Sequence, residues 1–255
     1  MRVTVLGCGG SGGVPLVGGI WGNCDPDNPK NRRRRVSVAV ETAGRTLLID
    51  TSPDLREQFL DAEIADIDAV LFTHGHADHA HGLDDLRSIV YRRGAPIEAW
   101  ADPATRQDLA QRFDYAFASR QCRDALYPPL LDDREIAGPF EAAGVPVVPF
   151  VQGHGRSTTL GFRIGGFAYS TDVKSLDDTA FSVLQGLDLW IVDCLRDEPH
   201  PTHSHFAQTL EWIERARPKH AVLTHMNHSA DYDDLRRRCP PGVEPAYDGM
   251  VLHID

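Results

Sequence analysis

Short apolar runs bounded by glycine, proline and charged clusters divide the chain and predict an alternation of strands and helices. Runs that favour strands lie near residues 2–6, 36–41, 45–50, 68–73, 96–100, 145–151, 159–164, 166–171, 188–193, 219–224 and 249–254. Helical periodicity predicts helices near 53–61, 83–91, 103–118, 177–185, 204–216 and 231–238. Strands come first, then alternate with helices, and the second half repeats this order. Periodicity alone therefore predicts an α/β or α+β protein.

Three imidazoles and a carboxylate follow the strand predicted near 68–73, in the segment Thr73-His74-Gly75-His76-Ala77-Asp78-His79. On extended backbone, side chains two residues apart point the same way, so His74 and His76 can converge on one point. Asp78 and His79 fall where the chain turns into a helix and can face a second point nearby. Four ligand-type side chains in this order favour a pair of metal ions over a single ion.

This motif resembles the HxHxDH signature of the metallo-β-lactamase-fold hydrolases, and the resemblance extends from the first residue to about residue 231. That family holds two metals with further ligands from later loops: a His, a bridging Asp and a last His. The matching positions are His154, Asp172 and His225, each just after an apolar run. The resemblance implies one site with His74, His76 and His154, a second with Asp78, His79 and His225, and Asp172 shared between them.

The resemblance also implies the fold and a branch of the family. The fold would be α+β, a four-layer αββα sandwich with two sheets packed face to face and helices outside. The segments 6–15, 31–35 and 79–87 look like the phosphodiesterase branch, and most closely like its PhnP-like members (phosphoribosyl 1,2-cyclic phosphate phosphodiesterase-like). These proteins place one more functional His before a helix, upstream of the last ligand. His203 occupies that place, and His200 and His205 are nearby alternatives.

One departure from the PhnP-like pattern concerns a second, structural zinc. Relatives often hold it with three cysteines in an early loop and a His shortly after the last metal ligand. Here the loop retains only Cys24, while His228 fits the late position. A closed zinc site needs four ligands, typically thiolates and imidazoles. We therefore predict that this structural zinc is absent.

A glycine-rich segment, Gly7-Cys8-Gly9-Gly10-Ser11-Gly12, satisfies the dinucleotide-binding pattern GxGxxG. That pattern requires a helix that begins at its last glycine. Gly13, Pro15 and Gly18 follow instead, so no helix is expected and nicotinamide binding is disfavoured. We expect the glycines to let the backbone run close beneath the metal site.

Composition limits the remaining possibilities. A chain of 255 residues with 42% hydrophobic residues and no linker predicts a single hydrolase domain over residues 1–255. The net charge of −11 argues against a general nucleic-acid binder. Without a run of eighteen apolar residues or a basic-then-apolar leader, we expect a cytoplasmic protein that does not bind membranes. Five scattered cysteines without a CxxC pair are typical of a reduced compartment.

We therefore expect a metal-dependent phosphoric diester hydrolase that cleaves a small cyclic or nucleotide-like phosphodiester with a metal-bridging hydroxide. The cofactors would be two divalent ions, zinc or manganese, because the mixed His and carboxylate ligands accept either. Asp172 would bridge the ions, and Asp78 would serve catalysis as well as metal binding. His203 would bind substrate and protonate the departing alkoxide. Asp50, at a strand end, is either a partner of a ligand His or an ordinary turn residue.

Two groups of arginines are further candidates. Arg87, on a predicted helix, is a candidate for substrate binding. The run Arg32-Arg33-Arg34-Arg35 is either a positive rim that guides phosphate or, more commonly for such runs, a solvated charge cluster.

Other functions stay open at this stage. The alternatives are a thioesterase or tRNA 3′-processing nuclease of the same fold, or a non-catalytic metal-binding module. The long arm that grips tRNA is not evident, and all seven ligand positions are present. We expect no stable nucleic-acid complex. The family often forms dimers, which leaves a homodimer open.

Overall fold

Two mixed β-sheets form the inner layers of the protein in this computed structural model, which describes residues 1–117 and 128–254. The first sheet contains β1 (Arg2–Gly7), β2 (Ser37–Thr42), β3 (Arg45–Ile49), β4 (Ala69–Leu71), β5 (Ile97–Ala101), β6 (Leu131–Glu135) and β14 (Val251–His253). The second contains β7 (Phe140–Ala142), β8 (Val145–His154), β9 (Ser157–Ile164), β10 (Phe167–Ser170), β11 (Leu189–Asp193), β12 (His220–Thr224) and β13 (Val243–Pro245). Their orders are β14-β1-β2-β3-β4-β5-β6 and β13-β12-β11-β10-β9-β8-β7.

Helices cover the outer faces of both sheets. In the described part of the chain they are α1 (Leu55–Asp61), α2 (Ala77–Ala80), α3 (Arg87–Arg93), α4 (Pro103–Arg112), α5 (Asp178–Val183), α6 (Phe206–Ala216) and α7 (Tyr232–Arg238). This arrangement confirms the predicted α+β fold with four αββα layers. Within residues 1–117 and 128–254, every helix is too short or too polar to cross a bilayer.

The two-residue period of the strands divides the apolar side chains between layers. Leu47 and Ile49 of β3 join the core that both sheets share, whereas Leu48 faces the outer side. There it belongs to one cluster with Leu55 of α1 and Ile89 of α3. Burying such a side chain fully contributes about 1.5–3 kcal/mol, so this alternation fixes which face of each strand is inside.

The differences from the sequence prediction lie at edges and helix ends. Strands β6, β7 and β13 were not predicted, because each is an edge strand of only three to five residues and β6 is mostly charged. The helix predicted over 204–216 begins at Phe206, since Ser204 bonds back to Asp193. The helix predicted over 103–118 ends at Arg112, and residue 118 and Cys122 lie outside the described residues.

The parallel strands bring the predicted ligands to one edge. Strands β3 to β6 are parallel in the first sheet, and β10 to β13 are parallel in the second. The carboxyl ends of parallel strands form a common edge, where ligands of open α/β sheets usually bind. Five acids and histidines of the site lie at or within three positions of these strand ends: Asp50, His74, Asp172, Asp193 and His225.

Candidate metal centre

The first group of predicted ligands gathers around one oxygen of Asp172. Nε2 of His74 and Nε2 of His154 each lie 3.8 Å from Asp172 Oδ1. The His76 ring is 4.4 Å from that of His74 and 5.4 Å from that of His154. Possible ligand atoms of these four residues all lie within 4.8 Å of one another. The structure thus brings His74 and His76 together at one point.

The second group gathers around the other oxygen of Asp172. Helix α2 begins directly after His76, so Asp78 and His79 face a different point. Nε2 of His79 and Nε2 of His225 lie 3.0 and 3.3 Å from Asp172 Oδ2, and 3.4 and 3.6 Å from Asp78 Oδ2. All four side chains are buried. Asp172 therefore stands between the two groups, with one oxygen facing each.

Several imidazole nitrogens in these groups have no hydrogen-bond partner, which tests whether a metal fits. Nε2 of His74, of His79 and of His225 are buried and make no hydrogen bond among the described residues, although Asp172 lies within ion-pair distance of each. Buried polar atoms without partners are rare in folded proteins. Nitrogen and carboxylate atoms aimed at a common point are the ligands that zinc takes. The donor set therefore fits divalent ions at both points.

The opposite ring nitrogens of His74, His79 and His154 are held by the protein. Nδ1 of His79 lies 2.7 Å from Asp50 Oδ2, and Nδ1 of His154 lies 2.8 Å from the carbonyl oxygen of Thr202. Thr73 donates hydrogen bonds from its amide and its hydroxyl to Asp50. Its Oγ1 also lies 3.0 Å from Nδ1 of His74. Such contacts fix the tautomer and ring direction and leave Nε2 available. Asp50 is thus a partner of a predicted ligand.

Three residues of the site have left-handed backbone. The φ angles are +63° at Asp50, +51° at Asp172 and +59° at His225. This conformation costs about 1–3 kcal/mol for a residue other than glycine and persists only where the surroundings impose it. The packed strand ends therefore hold these side chains at some expense of stability.

His203 is the histidine of its segment that enters the site. Its Nε2 lies 3.8 Å from Asp172 Oδ1, and its ring stacks on that of His225 with 4.7 Å between centroids. The ring of His200 lies 5.1 Å from that of His203, centroid to centroid, and its Nδ1 accepts a hydrogen bond from the amide of Thr202. His205 forms the N-cap of α6 and has no ring contact with this cluster. The geometry thus favours His203 over both alternatives.

Asp193 is the residue of the site that sequence reasoning missed. It is fully buried at the end of β11, with Oδ2 3.6 Å from Nδ1 of His203 and Oδ1 3.4 Å from Nδ1 of His225. Ser204 donates its amide and hydroxyl to Asp193 and fixes it. The sequence did carry a signal for Asp193, since it is an acid at the end of the apolar run Leu189-Trp190-Ile191-Val192. Asp50 stands at the end of a similar apolar run.

The electrostatics of the two groups differ. Burial lowers the pKa of His74 and of His154, so both imidazoles are neutral at pH 7. Burial also opposes charge on His79 and His225, but nearby carboxylates, Asp172 foremost, raise the pKa of His79 well above its ordinary value and that of His225 to about 10. In the absence of metal, the imidazoles of His79 and His225 therefore carry protons at the place where a metal cation would bind.

The carboxylates of the site are correspondingly ionised. Burial opposes the charge on Asp172, but His225 and His79 outweigh it and hold its pKa well below the ordinary value. Burial likewise opposes the charge on Asp78, and His79 and His225 lower its pKa. Ionised oxygens at the centre of buried imidazoles attract positive charge.

The arginine candidates have other partners. Arg87 pairs with Asp84 and donates to the Tyr91 hydroxyl, without a hydrogen bond or ion pair to any of the seven predicted ligands. Its role in substrate binding stays a prediction. In the charged run, Arg34 pairs with Asp61 and Arg35 with Asp54, while Arg33 is buried. Arg32 is exposed over the Trp21 ring. The run as a whole is therefore neither a continuous free rim nor a uniformly solvated cluster.

The early loops lie beneath the second group. Gly10 donates to the carbonyl of Met226, and a Cβ atom at Gly10 would lie 3.7 Å from Cε1 of His225. The glycine-rich segment thus runs close to the site, as expected. Cys24 is buried beside Arg33, and His228 packs against Gly22. In the described ranges, no cluster of metal-ligating side chains includes Cys24 or His228.

Comparisons with known proteins agree with this geometry. The beta-lactamase superfamily domain matches residues 45–226. The crystal structure of a new diphosphatase from the PhnP family has a TM-score of 0.89 and 36% identity, covering 100% of this chain and 98% of that one. Zn(2+)-bound PqqB from Methylobacterium extorquens has a TM-score of 0.76 and 22% identity, covering 100% of both chains, and shares the fold.

A second relative is longer than this protein. The octanoyltransferase of Porphyromonas gingivalis (strain ATCC BAA-308 / W83) is 36% identical over 262 residues, which cover 100% of this chain. The chain spans 52% of that relative's length. Together with the fold and the ligand groups, the matches confirm the resemblance found in the sequence. The chain belongs to the beta-lactamase superfamily and, among the metallo-β-lactamase-fold, metal-dependent hydrolases, to the PhnP-like branch.

Proposed function

We propose that the protein is a dinuclear-metal-dependent phosphodiesterase that hydrolyses a small cyclic or nucleotide-like phosphodiester. The observation that carries the proposal is the shared carboxylate, with Oδ1 of Asp172 facing one ligand group and Oδ2 facing the other. Paired metal ions about 3.5–4 Å apart serve in-line displacement at phosphorus in phosphatases and nucleases. His203 beside that carboxylate supplies an acid at the same place.

Each residue of the site would have a separate role in the reaction. Two divalent ions, when bound, would lower the pKa of water towards neutrality and neutralise charge that grows on the phosphoryl oxygens. Asp172 fixes the separation of the two ligand groups, and Asp78 completes the second group. His203 presents Nε2 to the site and donates a proton to the departing alkoxide, while the carboxylate of Asp193 lies 3.6 Å from its Nδ1.

The choice of metal follows from the ligand types. Five imidazoles favour zinc, whereas the carboxylates of Asp78 and Asp172 also suit manganese. We propose zinc or manganese as the working ion.

A cavity beside the first ligand group supports an anionic substrate. It measures about 580 Å³ and is lined by His76, His154, Gly155, Arg156, Ser157, Pro201 and Thr202. No carboxylate is among these described residues, although the whole chain carries a net charge of −11. Arg156 is exposed at its edge, and the described structure gives its guanidinium no hydrogen bond or ion pair. A free guanidinium there suits a phosphate oxygen.

A diphosphate diester is the second candidate substrate. The PhnP-family protein that covers the whole chain at 36% identity is named a diphosphatase. Cleavage of a diphosphate also displaces an oxygen at phosphorus, so the same residues would serve it. The leaving group would then be a phosphate, which needs less help from His203 than an alkoxide does.

Hydrolysis of a small panel by the metal-loaded protein tests the proposal. The panel contains bis(p-nitrophenyl) phosphate, a nucleoside 2′,3′-cyclic phosphate, ADP-ribose as a diphosphate, and a glutathione thioester. We expect turnover of phosphorus substrates and loss of it in Asp172→Asn. Asp178→Asn is the matched control, because the side chain of Asp178 is 94% exposed to solvent. This variant should retain full turnover. Turnover of the thioester alone would overturn the proposal in favour of a thioesterase.

A further inference from the structure

A buried arginine lies beneath the second ligand group without a carboxylate partner. Arg33 is 2% exposed, and its described contacts include no ion pair. Burying a charged group costs stability unless it is paired and hydrogen-bonded. Its Nε is also buried without a partner. The pairing that normally accounts for a buried arginine is therefore missing here.

The guanidinium instead donates to three neutral acceptors, two in its own early loop and one in the loop after β12. It donates to the carbonyl oxygen of Asn227 at 3.3 Å, to Oδ1 of Asn31 at 3.2 Å and to Sγ of Cys24 at 3.9 Å. The planar fork of an arginine fixes its acceptors in direction as well as distance. Arg33 thus ties the early loop that contains Cys24 and Asn31 to the loop after β12.

The Asn31 contact extends the tie to the start of α7. Nδ2 of Asn31 donates to Oδ2 of Asp231 at 2.7 Å, and Oδ1 accepts from the amide of Tyr232 at 2.8 Å. Oδ1 also receives the Arg33 donor, so the orientation of this buried amide is fixed from both ends. The loop between β12 and α7 is consequently held by the early loop at several places, among them Asn227, His228 and residues 231–232.

This loop begins with His225, whose backbone is strained. Its φ of +59° must be imposed by neighbours. Met226 is held on both sides, because its amide donates to Cys8 and its carbonyl accepts from Gly10. Asn227 is the next residue, and its amide donates to Leu195 while its carbonyl accepts from Arg33. Arg33 therefore makes the shorter of two side-chain contacts on this carbonyl, two residues after His225; the other is from Cys24 Sγ at 4.0 Å.

We propose that Arg33 is a positioning residue for His225, and through it for the second metal site. The guanidinium fixes the Asn227 carbonyl, which fixes the loop that sets the direction of the His225 ring. The first group, which contains His74, His76 and His154, has no described contact with Arg33. Loss of the guanidinium should therefore weaken one metal site and spare the other. The inference rests on the proposed metal centre but not on the proposed substrate.

Zinc titration of the metal-free protein by calorimetry tests this inference without any turnover measurement. In Arg33→Met we expect the first equivalent to bind with unchanged affinity and the second at least tenfold more weakly. Arg33→Lys keeps a positive charge and hydrogen-bond donors but loses the planar fork of the guanidinium. Its affinity for the second equivalent should lie between those of Arg33→Met and wild type. Cobalt absorption spectra should change in the second equivalent alone.

Arg35→Met is the matched control, because Arg35 is two residues away and pairs with Asp54 beside α1. It should bind both equivalents as wild type does. Unchanged affinity for the second equivalent in Arg33→Met, or equal weakening of both, would overturn the inference. If Arg33→Met does not fold, the same measurement is made on Arg33→Lys. Unchanged affinity for the second equivalent, or equal weakening of both, would overturn the inference there too. A wild-type protein that binds fewer than two equivalents would overturn this inference and the proposed centre together.

Discussion

Oδ1 of Asp193 lies 3.4 Å from Nδ1 of His225, on the side of the ring opposite the Nε2 that faces Asp172. The other oxygen of Asp193 lies 3.6 Å from Nδ1 of His203. One buried carboxylate thus lies beside Nδ1 of both a predicted metal ligand and the predicted acid, within ion-pair distance of each. Carboxylates in this position orient imidazoles and raise their basicity.

Replacing Asp193 should therefore affect two properties at once. In Asp193→Asn we expect affinity for the second metal ion and kcat to fall by about 10–100-fold each, the range typical of such partners. Metal titration and steady-state kinetics measure these two effects. Asp197→Asn is the control, because Asp197 forms a half-exposed pair with Arg238, and such pairs contribute about 0–1 kcal/mol. A variant of Asp193 that kept both properties would remove it from the site.

His203→Ala should lower turnover without removing metal. If His203 donates the proton, kcat should fall by about 10²–10⁴-fold for an alkoxide leaving group. The loss should be much smaller for bis(p-nitrophenyl) phosphate, because p-nitrophenolate leaves without a proton. His200→Ala and His205→Ala should stay near wild type. An equal loss for both kinds of leaving group would show that His203 is not the acid.

Stability of the metal-free protein should depend on pH through His225. Its pKa, about 10 in the folded protein, is above the ordinary value near 6.5. The contribution is therefore complete below about pH 6.5 and disappears as the pH rises through about 10. With EDTA present, we expect the free energy of unfolding to fall from pH 7 to 10 more steeply than in His225→Gln.

Zinc should remove this pH dependence, because a metal binds the deprotonated imidazole in place of the proton. Denaturant unfolding with and without zinc makes the comparison. Equal slopes in wild type and His225→Gln without metal would contradict the assignment of the bound proton.

Arg156 should bind the anionic part of the substrate. Its loss in Arg156→Ala should raise KM about 10–100-fold with little change in kcat, since a hydrogen bond to a charged group contributes about 1.5–3 kcal/mol. Arg236→Ala, an arginine of α7 outside this cavity, is the control. Arg87→Ala tests the candidate taken from the sequence, and a larger effect there than at Arg156 would reverse the two roles.

The sequence predicted those parts of the site that follow strong apolar strands. His74, Asp172 and His225 come directly after such runs, and the family resemblance supplied their grouping. Asp193 carries the same strand-end signal, but no motif distinguished it from an ordinary acid. Arg33 gave no signal of burial, because a run of four arginines is typical of a surface. Its environment is created by loops far apart in the sequence.

The fold shows the same division between strong and weak local signals. The buried strands were predicted within a few residues, since a strand covered on both faces is almost wholly apolar. Edge strand β6, with the sequence Leu131-Asp132-Asp133-Arg134-Glu135, is polar because one side faces solvent. The start of α6 depended on the bond from Ser204 to Asp193, which is a tertiary contact. Neither feature can be read from local periodicity.

Two metal ions should share the carboxylate of Asp172, and the proposed reaction depends on that sharing. Diffraction at the zinc or manganese absorption edge from crystals of the reconstituted protein, together with elemental analysis, measures this directly. We predict two anomalous peaks on opposite sides of Asp172, one near His74 and the other near His225, with two equivalents in solution. A single peak, or two peaks that are both remote from Asp172, would contradict the account.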